Sequence, residues 1–329
     1  MAEGSILNYT ELANACYIGT TNSREIKMQA IKALDDKYSP EQLTLVYIHF
    51  FNLETDFEIQ KYLIKQIDKI KHIKSFDFFI NILMMKNDIQ NRFPSEEKLV
   101  QLRVLAVKAL GNLKNNEAVS LLLYCMNSKD ENYKIKLACA DALGKIGDKY
   151  AVAPLINVVS DDEEKSVYVK ESAVKALGMI GDERAVDTFV NILETKRGLI
   201  DKFTYLKERV IESLSKINTK PSDKEKVLKA LKTSLMDASS QVRISAISAL
   251  MDANYPESTE LIKSTLYDDD SEVVENAVIA LYNLNGPDIL FEIFRDETYP
   301  NIVKAKANEI FVEYESNENP DLTDSDYEE

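Results

Sequence analysis

A short phrase recurs along this chain every 30 to 43 residues. It reads apolar–basic–x–x–Ala–x–x–Ala–Leu. Its clearest copies are LRVLAVKALG (Leu102–Gly111), IKLACADALG (Ile135–Gly144), VKESAVKALG (Val169–Gly178) and VRISAISALM (Val242–Met251). Repeats of this length are single supersecondary units that cannot bury an apolar face alone, so each must stack on its neighbours. The spacing of apolar positions within the phrase is that of a helix. The expectation is therefore an all-α chain in which helix pairs pile up in one direction. Such a stack offers a long surface rather than one deep pocket, which favours binding over catalysis.

Nine copies align, beginning near Ile26, Ile59, Leu102, Ile135, Val169, Leu206, Val242, Val273 and Val303. Positions 1, 5, 8 and 9 are mostly apolar. Small side chains at positions 5 and 8 allow close helix approach, with Leu or Ile at position 9 behind them. The phrase then runs into a turn, Gly144-Lys145-Ile146-Gly147-Asp148 in one copy and Gly178-Met179-Ile180-Gly181-Asp182 in the next. Glycine past a helix end supplies a left-handed cap, and aspartate opens the following helix. The helices predicted next read AVAPLINVVS (Ala151–Ser160), with Pro154 in its first turn, and AVDTFVNILE (Ala185–Glu194).

On these residues, ALGKIGDKYAVAPLINVVSD and ALGMIGDERAVDTFVNILE above all, the chain resembles HEAT repeats of the short bacterial type also found in phycobilin lyases. The likeness is clearest over Leu102–Glu194 and fades over Phe57–Leu99. It implies an α–α superhelix of about eight to nine helix pairs, with the second helices lining a concave face. It implies no single activity, because such arrays serve as scaffolds, adaptors, lyase subunits and a few enzymes. The expected organisation is divergent repeats over residues 1–100, regular repeats over 101–314 continuous with the first, and a disordered acidic tail over 315–329. That tail, ESNENPDLTDSDYEE, holds seven acids and no base. Ser325 within it sits in a context that some kinases favour.

Composition narrows the setting. There is no run of 18 apolar residues and no basic stretch leading into an apolar one at the N-terminus, so neither a membrane span nor a secretory signal is expected. Three cysteines (Cys16, Cys125, Cys139) without metal spacing read as reduced, buried thiols and suggest the cytoplasm. The net charge of −15 is uneven: residues 237–329 carry 22 acids against five bases, while the rest of the chain is nearly neutral. An acidic end repels phosphate backbones and anionic membranes, so nucleic acid and membranes are not expected partners.

Candidate binding residues come from the phrase itself. Position 2 is basic in seven copies (Lys27, Arg103, Lys136, Lys170, Lys207, Arg243, Lys304). Such a column either binds an anionic strip or forms a structural ladder with acids in the preceding turns, as the spacing of Asp130–Lys136 and Asp237–Arg243 suggests. Positions 4 and 7 point away from the buried stripe. They nominate Tyr62, Lys65, Leu105, Lys108, Lys175 and Arg209 as partner-binding residues. Three irregular stretches, Lys86–Leu99, Thr195–Tyr205 and Lys216–Asp223, are further places where a solenoid edge could carry recognition. The apolar runs Leu43–Leu53 and Phe76–Met85 read as core, with docking or self-association as the alternative.

Catalysis has little support. The only histidines are His49 and His72, and neither precedes a glutamate as in the His-Glu pairs of HEAT-type di-iron hydroxylases. No zinc spacing, phosphate loop or nucleophile elbow is present. The chain therefore reads as a non-catalytic scaffold or adaptor for a protein or peptide, with no cofactor. The alternative is a subunit of a bilin lyase or related cofactor-attachment factor, and a regulatory scaffold for a larger complex is a third reading.

Overall fold

The computed structural model describes residues 24–34, 38–85, 95–161, 166–194, 201–217 and 220–318. These residues form α-helices and short 3-10 turns, with no strand among them. In chain order the helices are α1 (Arg24–Lys32), α2 (Pro40–Leu53), α3 (Phe57–Ile70), α4 (Phe76–Met84), α5 (Glu96–Leu113) and α6 (Val119–Asn127). Then follow α7 (Tyr133–Ile146), α8 (Val152–Ser160), α9 (Val167–Ile180), α10 (Val186–Glu194), α11 (Asp201–Lys216) and α12 (Pro221–Ser234). The last are α13 (Ser240–Ala253), α14 (Ser258–Lys263), α15 (Ser271–Asn285), α16 (Asp288–Arg295) and α17 (Asn301–Glu318). The nine copies of the phrase occupy the odd-numbered helices.

The chain divides into two compact units, one ending at Ile180 and the other beginning at Gly181. In the first, α2 packs on α3, α4 on α5, α6 on α7 and α8 on α9, while α3, α5, α7 and α9 pack on one another in sequence. The second repeats the arrangement: α10 with α11, α12 with α13, α14 with α15 and α16 with α17, and a consecutive layer of α11, α13, α15 and α17. Each unit is thus a two-layer stack of helix pairs. The division expected at residue 100 falls inside α5. Helix α17 runs on to Glu318, into the stretch expected to be a tail, and residues 319–329 lie outside the described residues. Cys16 and Ser325 lie outside them too, as do residues 86–94, 195–200 and 218–219 of the irregular stretches.

The phrase explains the packing. Leu102, Ala106, Ala109 and Leu110 of α5 are fully buried, as are Ile135, Cys139 and Leu143 of α7. Position 6 is buried as well (Ile64, Val107, Ala140, Ile247), because α3, α5, α7 and α13 are each flanked by two other phrase helices and backed by a pair mate; Val174 and Ile211 are buried too. The glycine after the phrase has a second use. A Cβ on Gly111 would lie 2.8 Å from the Ala142 Cα, and one on Gly144 would lie 2.9 Å from the Ala176 Cα. Position 10 of one helix therefore seats directly on position 8 of the next, a contact that only a bare backbone permits.

Turn chemistry follows the sequence with one adjustment. Gly147 takes the left-handed cap of α7 at φ 77°. Asp148 then caps not α8 itself but a 3-10 turn, Lys149–Ala151, that leads into it. Asp182 does the same for the turn Glu183–Ala185 before α10. Lys71, Lys114 and Asn254 hold the equivalent left-handed positions without glycine, at φ 54°, 53° and 45°. The apolar runs are mainly core: Phe50, Phe51, Phe79, Ile82 and Leu83 are buried, and the Phe51 and Phe78 rings meet edge-on at 5.0 Å. Cys125 and Cys139 are buried thiols not joined in a disulfide. A hydrogen bond with Cys125, reinforced by burial, pushes the Cys139 thiol well above its usual range.

Candidate protein-binding face

Two polar systems are built on the phrase helices, and they separate structure from surface. The first is the position-2 ladder. In four of its seven copies it connects the base to the acid of the next repeat rather than to the acid of its own preceding turn. Lys27 reaches Glu54 at 2.9 Å, Lys207 pairs with Asp237, and Arg243 holds Asp268 through two nitrogens at 2.7 and 2.8 Å. Arg103 clasps Glu131, not the exposed Asp130, at 2.7 and 2.9 Å, and its Nε donates to the Leu83 carbonyl at the end of α4. Each of these acids also accepts backbone N–H groups of its own turn: Glu54 from Thr55 and Asp56, Glu131 from Asn132, Asp237 from Ser239 and Asp268 from Asp270. The column is therefore structural. It pins the start of one phrase helix to the side of the one before. Arg243 does touch its own turn, but through the Asp237 carbonyl.

The second system lies on the face made by positions 4, 7 and 11, which one helix presents together, joined on α3 by position 10. Across the first unit it forms a chain of contacts. Asp68 of α3 accepts from Asn112 of α5 at 3.0 Å, and Asn112 accepts from Lys145 of α7 at 3.4 Å. Lys145 pairs with Asp141 one turn earlier at 3.0 Å, and Asp141 is reached by Lys175 of α9 at 3.1 Å. Burial works against ionisation of Asp141, but the hydrogen bonds from Lys145 and Lys175 prevail and hold its carboxyl below the usual range.

The six nominated residues divide on this map. Tyr62 and Leu105 are half-buried on α3 and α5, with Lys65 and Lys108 exposed one turn further along. Neither Lys65 nor Lys108 carries an ion pair among the described residues. Lys175 is exposed but already paired with Asp141. Arg209 belongs to the second unit, where Glu212, itself also bound by Lys216 at 2.7 Å, neutralises it. Asp68, Asn112 and Lys145 were not nominated, since a carboxylate, an amide and an ammonium at unequal positions share no pattern in one dimension.

No group of three or more histidine, cysteine, aspartate or glutamate side chains among the described residues could hold a metal ion. His72 caps the 3-10 turn Ile73–Ser75, accepting from Lys74 N at 3.3 Å, and the buried His49 Nε2 has no hydrogen-bond partner among the described residues. No helix among them is long and apolar enough to cross a membrane.

A search by sequence among curated proteins finds no match. Among solved structures the chain is similar to Kap121p bound to Nup53p, with TM-score 0.57 and 13% identity over 91% of this chain and 36% of that one. A Kap121p mutant gives TM-score 0.58 and 14% identity over 98% and 40%. The complex of CpcE and CpcF of phycocyanin lyase from Nostoc sp. PCC7120 gives TM-score 0.43 and 19% identity over 84% and 95%. At these identities the Kap121p likeness concerns the fold alone. The family model of HEAT repeats matches residues 95–168, 128–200, 163–250 and 225–309, well over half the sequence. The chain belongs to the HEAT-repeat family.

Proposed function

We propose that this protein is a non-catalytic scaffold that binds an acidic or amphipathic segment of a partner protein. The face made by α3 and α5 in the first unit is the proposed site. The observation that carries this reading is the contrast among cations at positions 4 and 7 of the phrase. Lys175 and Arg209 are neutralised internally, whereas Lys65 and Lys108 stand exposed without an ion pair among the described residues, beside the half-buried Tyr62 and Leu105. A tyrosine is a side chain enriched in binding hot spots, and the exposed lysines beside it supply a polar rim.

The helix spacing adds a register. Packed helices lie about 8–10 Å apart, and an extended strand rises about 3.3 Å per residue. A strand crossing α3 and α5 would thus place side chains roughly three residues apart over successive helices, and acids at that interval would meet Lys65 and Lys108. The test is an affinity pull-down from the native cell with wild type and with the double variant Lys65→Glu/Lys108→Glu. Partners on this face fall away with the double variant, and those of the wild type bind more weakly as salt rises. Retention of every partner by the double variant rejects the assignment.

A further inference from the structure

A second surface lies in the other unit and owes nothing to the face just described. Helix α12 ends at Ser234, and the chain turns through Leu235, which is buried, and Met236, which is 78% exposed. Across from it, α14 continues into a 3-10 turn, Ser264–Tyr267, and ends on an exposed tyrosine. Between them is a groove of about 510 Å³, lined by Leu235, Met236, Leu261, Thr265, Tyr267 and Asp269 among others. That size falls within the range of about 300–1,000 Å³ in which ligands are held.

The groove is preformed. The Tyr267 ring stacks on Tyr299 at 5.7 Å and its hydroxyl meets the Thr298 hydroxyl at 3.2 Å, so an exposed aromatic is fixed in place. Opposite it, Met236 is flexible and polarisable and adapts to whatever apolar group enters. The charges at the floor cancel, since Arg243 is held by Asp268 and Asp237 is paired with Lys207. Lys232 and an exposed Asp269 both line the groove, Asp269 has no ion pair among the described residues, and Asp270 and Glu272 follow at the start of α15. Residues 237–329 carry a balance of −17. The open face of an immobilised tyrosine ring beside a carboxylate attracts a cation.

We infer that the Met236–Tyr267 groove docks a short basic and apolar segment of a partner protein, an aliphatic side chain entering between Met236 and Leu261 and a Lys or Arg lying over Tyr267 beside Asp269. Random-peptide display on the immobilised full-length chain tests this. Wild type enriches peptides that place Lys or Arg within three residues of an aliphatic side chain. The labelled consensus peptide then binds at least tenfold more weakly to Met236→Glu and to Asp269→Lys, surface changes that leave the helical circular-dichroism spectrum intact, and equally well to Lys108→Glu. Enrichment of no basic peptide overturns the inference, as does a basic consensus peptide that ignores both groove substitutions or is lost on Lys108→Glu.

Discussion

Arg103 and Glu131 form a buried, two-pronged ion pair that ties α5 to the turn before α7, while the same guanidinium caps the C-terminal end of α4 through the Leu83 carbonyl. Three segments of the first unit thus converge on one side chain. Removing one member leaves the other charged and dry. Arg103→Met is expected to cost about 3–5 kcal/mol, and Arg103→Met with Glu131→Leu distinctly less, because the stranded carboxylate is gone. Urea denaturation of the two variants measures the difference. A double variant no more stable than the single one contradicts the description of the pair.

Gly144 separates two views of the repeat. If it were only a weak point in α7, alanine there would stabilise the helix by about 0.5–1 kcal/mol. Its predicted effect is the opposite, a loss of about 1–3 kcal/mol, because the new methyl group would press on the Ala176 backbone. The sign of the change in thermal midpoint decides the matter.

Lys114 offers a gain. It closes α5 in the left-handed region at φ 53°, where a Cβ costs about 1–2 kcal/mol and glycine pays no steric penalty. Part of that gain is offset by the greater unfolded-state entropy of glycine. Lys114→Gly should therefore raise stability by roughly 0.5–1 kcal/mol, read as a higher urea midpoint with an unchanged slope.

Asp141 sets a pH signature. Its carboxyl is depressed in the folded state by Lys145 and Lys175 despite the opposing effect of burial. A depressed acid contributes stability that is fully present above its unfolded value of about 3.9 and is lost as pH falls through the lower folded value. Acid titration of the thermal midpoint should show a smaller drop across that window in Asp141→Asn than in wild type. Identical curves would mean that the Asp141 contacts contribute nothing.

Much of the fold was legible because the repeat writes the same buried positions nine times. The helix starts at Ile59, Leu102, Ile135 and the later copies all fall within odd-numbered helices. The burial of position 6 was not legible, since it depends on a neighbour on each side of the helix. Nor was the direction of the ladder. Every acid before a phrase, such as Asp237, stands both a few residues ahead of its own base and one repeat after the previous base. Only three-dimensional stacking shows that Lys207 holds its side chain while Arg243 takes the backbone carbonyl. On the candidate face, exposure at position 7 followed from the helical period, and Lys65 and Lys108 are exposed as that period requires. The neutralisation of Lys175 and Arg209 did not follow, because their partners come from a neighbouring helix in one case and from the same helix in the other.

The claim that the α3–α5 face receives an acidic protein segment is tested most directly by site-specific photo-crosslinking in the native cell. A benzophenone side chain replaces Leu105 on that face in one variant and the exposed Tyr150, in the turn before α8, in another. The account predicts a discrete protein adduct from position 105 that disappears when Lys65→Glu and Lys108→Glu are added, with none from position 150. An adduct from position 150 alone, or one from position 105 that survives both charge reversals, would contradict it.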